Sequence, residues 1–123
     1  MRPISLAEMR SRLAHVRPTN NKRADGYALV SVLEHEDFVD NHLPGSINIP
    51  KGDELEFEDR FDQSKVIIVY CGSRKCLASS EVARELERRG FYRLLIYVGG
   101  IQEWQNENNP IETGEAPSGE LRA

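Results

Sequence analysis

Cys71 is the residue whose type and position could do chemistry in this sequence. It follows a continuous apolar run, Val66-Ile67-Ile68-Val69-Tyr70, and opens the segment Cys71-Gly72-Ser73-Arg74-Lys75-Cys76. A helical pattern then runs from about Leu77 to Arg89. Such a β-branched run predicts a strand buried on both faces. Ligands of open α/β sheets bind at the carboxyl ends of strands, so a cysteine there is placed for thiolate chemistry. A free thiol with a pKa of about 8.5 is only ~3% ionised at pH 7. Backbone N–H groups at a helix start, with Arg74 and Lys75, favour the anion. Lowering that pKa by about two, near 3 kcal/mol, makes the thiolate the majority form. The competing assignments are a small buried strand-end cysteine and two ordinary surface cations.

The elements that must position this residue alternate between strand and helix. A first strand is expected near Arg2 to Ile4, then a helix started by the capping-box pattern Ser5-Leu6-Ala7-Glu8, with Leu6, Met9 and Leu13 on one face. Arg17 to Gly26 is polar and rich in turn residues, so it reads as a loop. Ala28 to Leu33 predicts a buried strand, Glu36 to Asn41 a short helix, Pro44-Gly45 a turn and Ser46 to Ile49 a short strand. Lys51 to Phe61 is acidic and partly helical, its charges forming a solvated face. In the helix after Cys71, Val82, Ala83 and Leu86 mark the buried side, and Gly90 is the expected stop. Glu85 and Arg89 form an i,i+4 pair worth only a few tenths of a kcal/mol. Arg93 to Val98 is the last strand and Gly100 to Asn106 the last helix. Residues 1–113 are expected to form one domain, with 114–123 a disordered tail. The alternation argues for a parallel sheet flanked by helices.

At 123 residues the chain has room for one modest core. Its 39% hydrophobic and 29% charged residues suit a soluble globular protein. A formal charge of −4 argues against a nucleic-acid partner, which calls for a basic stripe. No apolar run approaches the ~20 residues of a membrane span, and the N-terminal stretch lacks a signal-peptide core. The expectation is a cytoplasmic protein with no membrane partner and with both cysteines reduced.

Three stretches, in order and spacing, resemble the rhodanese family. They are Ala28 to Leu33 with Phe38 and His42-Leu43-Pro44-Gly45-Ser46-Ile47-Asn48-Ile49-Pro50; Tyr70-Cys71-Gly72-Ser73 with its helix and Arg89-Gly90-Phe91; and Val98-Gly99-Gly100-Ile101-Gln102-Glu103-Trp104. The resemblance covers about residues 3 to 113. It implies a rhodanese-like α/β fold: a five-stranded, mostly parallel sheet with helices on both faces. It also implies a sulfurtransferase that works through a persulfide on Cys71, with thiosulfate or a similar donor and a thiol or cyanide acceptor. No metal or organic cofactor is required by that chemistry. Cys71 is then the catalytic residue, and Gly72, Ser73, Arg74, Lys75 and Cys76 form the loop that binds substrate, its cations attracting the thiosulfate dianion. A protein sulfur acceptor is also compatible. Two other functions fit the same residues: a persulfide carrier or protein-interaction module, and a thiol-redox sensor built on Cys71 and Cys76.

Loop length separates these from a phosphatase. The six-member loop matches the family's sulfurtransferases, whereas related phosphatases close a seven-member loop with an arginine where this chain has Leu77. Without that guanidinium fork, bidentate phosphate binding is missing. Cys76 departs from the family's usual Arg or Ser. It would attack a persulfide on Cys71, close a short disulfide, or merely pack at the helix start. Disulfide closure should uncurl an anion-binding loop, so a spectator or modulating Cys76 is expected. Ser31-Val32-Leu33 stands where the family has Asp-Val-Arg, so an ion pair that normally buttresses the site is lost. Asn41 replaces a frequent glycine. His42 is expected to be structural, His15 and His35 are isolated, and no zinc-site spacing occurs. Trp104 is expected to pack, and Gly99 and Gly100 to shape the loop beside Cys71.

Overall fold

Hydrophobicity on both faces of the central strands is satisfied by a five-stranded sheet with helices on each side. The computed structural model describes residues 1–115. Its strands are β1 (Arg2–Ile4), β2 (Tyr27–Ser31), β3 (Ile47–Asn48), β4 (Val66–Tyr70) and β5 (Leu94–Tyr97). Its helices are α1 (Leu6–His15), α2 (His35–Asp40), α3 (Leu55–Arg60), α4 (Ala78–Arg88) and α5 (Gly100–Asn106). The sheet order is β1-β5-β4-β2-β3, and every neighbouring pair is parallel. Antiparallel pairing among the described residues is confined to the isolated His42–Glu112 bridge. No helix among them is long and apolar enough to cross a membrane.

Strand alternation divides the core into two layers. Ile67 and Val69 of β4 pack with Ala28, Val30, Leu94 and Ile96 against Phe57 of α3 and Val82, Ala83 and Leu86 of α4. Ile68 and Tyr70 point the other way, joining Leu29, Leu95 and Tyr97 against Met9 of α1 and Ile101 and Trp104 of α5. Successive side chains of a strand face opposite sides, so Cys71 inherits the side of Ile67 and Val69 and faces α4. The sheet centre is fully buried, as a parallel sheet must be.

Local signals set the element ends. Ser5 caps α1, its Oγ accepting the Glu8 N–H at 3.1 Å, while the Glu8 carboxylate is held by Arg2 at 2.9 Å. The polar loop before β2 is tied down by Lys65, which is fully buried and donates to the Asp25 carbonyl at 2.8 Å and to Asn21 Oδ1 at 3.2 Å. Desolvation holds the Lys65 ammonium below its ordinary pKa. At the expected tail, Gly114 N–H donates to the Val39 carbonyl at 2.8 Å, and Glu115 pairs with His35 at 2.9 Å. Residues 116–123 of that tail lie outside the described residues.

The contact that seats the loop after β4 is made by α5. Gly100 has φ of +69°, and a Cβ built on it would lie 2.5 Å from the Cys71 carbonyl oxygen, 2.8 Å from Gly72 C and 2.9 Å from Ser73 N. Backbone, unlike a side-chain tip, cannot step aside. Gly100→Ala is therefore expected to lose about 2–3 kcal/mol of stability by denaturant titration. Gly114 shares the positive φ, at +86°, but has open space around it. Gly114→Ala should cost no more than about 1 kcal/mol, and equal losses at the two glycines would sink the close-approach argument.

Candidate active site

Cys71 emerges at the carboxyl end of β4, only 2% exposed. Two hydrogen bonds fix its backbone: the N–H groups of Ile101 and Gln102 donate to the carbonyls of Cys71 and Gly72 at 3.1 and 2.9 Å. Past Ser73 the chain turns sharply, and Cys76 N–H donates to the Ser73 carbonyl at 3.0 Å. Arg74 and Lys75 sit at the exposed tip of this turn. The structure thus brings Cys71, Gly72, Ser73, Arg74, Lys75 and Cys76 into one compact loop between β4 and α4.

The two loop cations are not equivalent. Arg74 lies 3.6 Å from Glu103 Oε2 and is 71% exposed, so its charge is shared with a carboxylate as well as with solvent. Such exposed pairs contribute at most about 1 kcal/mol. The other Glu103 oxygen accepts the Tyr97 hydroxyl at 2.9 Å. Burial, then that carboxylate, raises the pKa of the Tyr97 phenol.

Cys76 is joined to Cys71 in a disulfide, where both cysteines were expected reduced and Cys76 a spectator or modulating residue. The physical reason lies in the turn. The bend falls within residues 73–76 and brings the two Cα atoms to 6.4 Å, inside the range a disulfide spans. The anchored carbonyls of Cys71 and Gly72 keep their bonds to α5 in this closed form. Closure does not detach the loop from its support.

Sequence reasoning missed Ser79. It is 4% exposed in the first turn of α4, and its Oγ lies 3.5 Å from Cys71 Sγ. A disulfide sulfur carries no proton, so the hydroxyl is the group able to donate. A signal was available: Ser79 stands three and four positions before Val82 and Ala83, on the helix face already identified as buried.

Where the resemblance implied an ion pair, the Ser31 to Leu33 segment makes neutral contacts. Ser31 is fully buried, and its Oγ accepts the Leu33 N–H at 3.3 Å. The Asn48 amide donates to the Ser31 and Leu33 carbonyls at 3.1 and 2.8 Å. Beside it, Tyr70 OH accepts the Leu43 N–H at 3.0 Å and bonds Ser46 Oγ at 2.8 Å. Burial pushes the Tyr70 phenol up to about 12, so it stays neutral. Leu33 lies against Gly72 from below, its Cδ2 3.8 Å from where a Cβ on that glycine would stand. An apolar side chain supports the loop at the position where the resemblance implied an arginine.

The remaining candidates lie elsewhere. His42 is 1% exposed, stacked on Phe38 at 3.9 Å, with Nδ1 donating to the Phe38 carbonyl at 2.8 Å. It is structural. Trp104 belongs to the layer opposite Cys71 and donates Nε1–H to the Pro110 carbonyl at 2.6 Å. No cluster of three or more His, Cys, Asp or Glu among the described residues is arranged for a metal.

Comparison with known proteins agrees with this geometry. The family model described as "Rhodanese-like domain" matches residues 17–107. The HTH-type transcriptional regulator Rv0324 of Mycobacterium tuberculosis is 28% identical over 98 residues, which are 80% of this chain and 42% of that protein. The chain therefore spans less than half the length of that relative. The thiosulfate sulfurtransferase GlpE of Haemophilus influenzae is 28% identical over 88 residues, covering 72% of this chain and 82% of that one. The crystal structure of the BH2092 protein from Bacillus halodurans superposes with a TM-score of 0.75 at 26% identity, covering 90% of this chain and 76% of that one. With a parallel five-stranded sheet, a cysteine loop at the end of β4 and a family match over most of its length, the chain belongs to the rhodanese-like domain family.

Proposed function

We propose that this protein is a sulfurtransferase that carries sulfane sulfur as a persulfide on Cys71. The observation that carries this reading is Cys71 itself, held at the carboxyl end of β4 by two backbone hydrogen bonds and faced by the first turn of α4. The catalytic cycle starts from the reduced loop, after an external thiol has opened the disulfide. The Cys71 thiolate attacks the outer sulfur of thiosulfate. A Cys71 Sγ–S bond forms, the S–S bond of the donor breaks, and its electron pair leaves with sulfite. A thiol or cyanide then removes the outer sulfur and restores the thiolate, a two-step covalent scheme with ping-pong kinetics. The Ser79 hydroxyl and the amides at the start of α4 stabilise the thiolate between the steps. Gly72 and Ser73 supply the backbone that faces the donor, and Arg74 and Lys75 attract its negative charge. A reducing cytoplasm is the compartment in which this cycle keeps running.

A persulfide carrier or interaction module is the second reading. It is favoured by the neutral Ser31 and Leu33 support and by the likeness to a longer regulator, and it predicts loading of Cys71 with slow turnover of small acceptors.

Cys71→Ser should abolish thiocyanate formation from thiosulfate and cyanide, together with the mass gain of about 32 Da that marks a persulfide. A surviving adduct on Cys76 would show that the nucleophile is misassigned. For Ser79→Ala, loss of a donor to the thiolate raises the Cys71 pKa. The acid limb of the rate–pH profile should move up by roughly half to one pH unit, with the loss fading at high pH. An unmoved profile would make Ser79 a packing residue. Replacing Arg74 and Lys75 together by Ala should raise KM for thiosulfate about threefold to tenfold at low ionic strength and flatten its salt dependence. Unchanged KM in low salt would return both to ordinary surface charge.

A further inference from the structure

We infer that Cys76 is a resolving thiol that turns the persulfide on Cys71 into free sulfide and a Cys71–Cys76 disulfide. This rests on the sulfurtransferase reading above and names a second catalytic residue and the class of acceptor it serves. Cys71 and Cys76 are the chain's two cysteines, and the fold holds both in one loop with Cα atoms 6.4 Å apart and their sulfurs joined. Cys71 is fixed by the end of β4 and by the Ile101 and Gln102 N–H groups, while Cys76 is fixed by the turn its own N–H closes on Ser73. The two sulfurs meet with those anchors in place, so the step needs no movement of the sheet or of α5. Cys76 is half-buried against the same layer as Cys71, beside its partner rather than out in solvent.

The step balances. The Cys76 thiolate attacks the Cys71 Sγ of the persulfide. A Cys76 Sγ–Cys71 Sγ bond forms, the bond from Cys71 Sγ to the outer sulfur breaks, and the electron pair leaves with that sulfur as hydrosulfide. The sulfane sulfur is reduced and the two cysteine sulfurs are oxidised to the disulfide. Hydrosulfide is a good leaving group for such exchange because its parent acid ionises near neutrality, and exchange is faster from a more acidic leaving thiol. An external dithiol must then reduce the disulfide by two successive exchanges, becoming a disulfide itself. Over a full cycle one thiosulfate and one dithiol yield sulfite, hydrogen sulfide and one oxidised dithiol. The matching acceptor is thus a dithiol reductant, and cyanide or a monothiol competes for the persulfide before Cys76 closes.

The test is a single turnover without oxygen. Wild-type protein is reduced with dithiothreitol, freed of it by gel filtration, and mixed with thiosulfate. Sulfide, sulfite and intact mass are then followed. Wild type should release about one equivalent each of sulfite and sulfide and end about 2 Da lighter than its reduced form. Peptide mapping should join Cys71 to Cys76. Cys76→Ser and Cys76→Ala should release sulfite alone and hold the added ~32 Da on Cys71 until a thiol is supplied. If wild type instead keeps the adduct as long as the variants and releases no sulfide, the resolving role is overturned while the persulfide reading stands. If neither wild type nor variants load sulfur or release sulfite, the sulfurtransferase reading itself fails. Because wild type alone decides the first question, a poorly folding variant does not block the test.

Discussion

The site depends on one backbone contact, that between the end of β4 and the start of α5. The Cys71 and Gly72 carbonyls take their hydrogen bonds from the first turn of α5, and Gly100 brings that turn so close that a single Cβ would collide with three backbone atoms of the loop. Carbonyls at a strand's end normally lose their ladder partners, and here a helix start supplies new ones. The backbone of Cys71 and Gly72 is consequently held by main-chain hydrogen bonds, and the turn follows beyond them. Residues 73–76 form that turn.

Support from beneath is uncharged. Ser31, Tyr70, Ser46 and Asn48 satisfy one another and the neighbouring carbonyls, and Leu33 fills the space under Gly72. A buried ion pair gains stability only when its desolvation is offset by close to ideal geometry, so a neutral network of the same size can stabilise the fold as well. What changes is the field at the sulfur. With neutral groups below the loop, the polar side chain beside the Cys71 sulfur is Ser79, and the loop's cations lie at its exposed tip, Arg74 paired with Glu103. Those exposed charges are screened by salt, whereas a buried hydroxyl's contact is not.

The disulfide joins the residue at the end of β4 to the residue at the end of the turn while both α5 hydrogen bonds to the loop are in place. Under the proposed sulfurtransferase reading, a cysteine whose neighbour closes on it would couple sulfur transfer to the supply of reducing equivalents. The sensor and transferase functions considered from the residues alone would then become two parts of one cycle.

The order of strands and helices was legible in the sequence, because each element carries its own periodicity and punctuation. Val66 to Tyr70 reads as a buried strand by composition, Ser5 and Gly90 mark helix ends by local chemistry, and the position of Cys71 at a strand end follows from adjacency alone. Even the face of Cys71 is implied by alternation along β4. Ser79 was half legible, since helical spacing puts it on the buried face of α4 but says nothing of what that face meets. The partner of Arg74 and the support given by Leu33 were not legible, and the joining of Cys76 to Cys71 was one of three alternatives that the residues left open. Each depends on how separate elements approach one another: α5 must lie against the loop for Glu103 to reach Arg74, β2 must end beneath Gly72, and a turn closed by Ser73 must bring two Cα atoms within disulfide range. Periodicity and composition report which face of an element is buried, while distances between side chains on different elements exist only once the chain has packed.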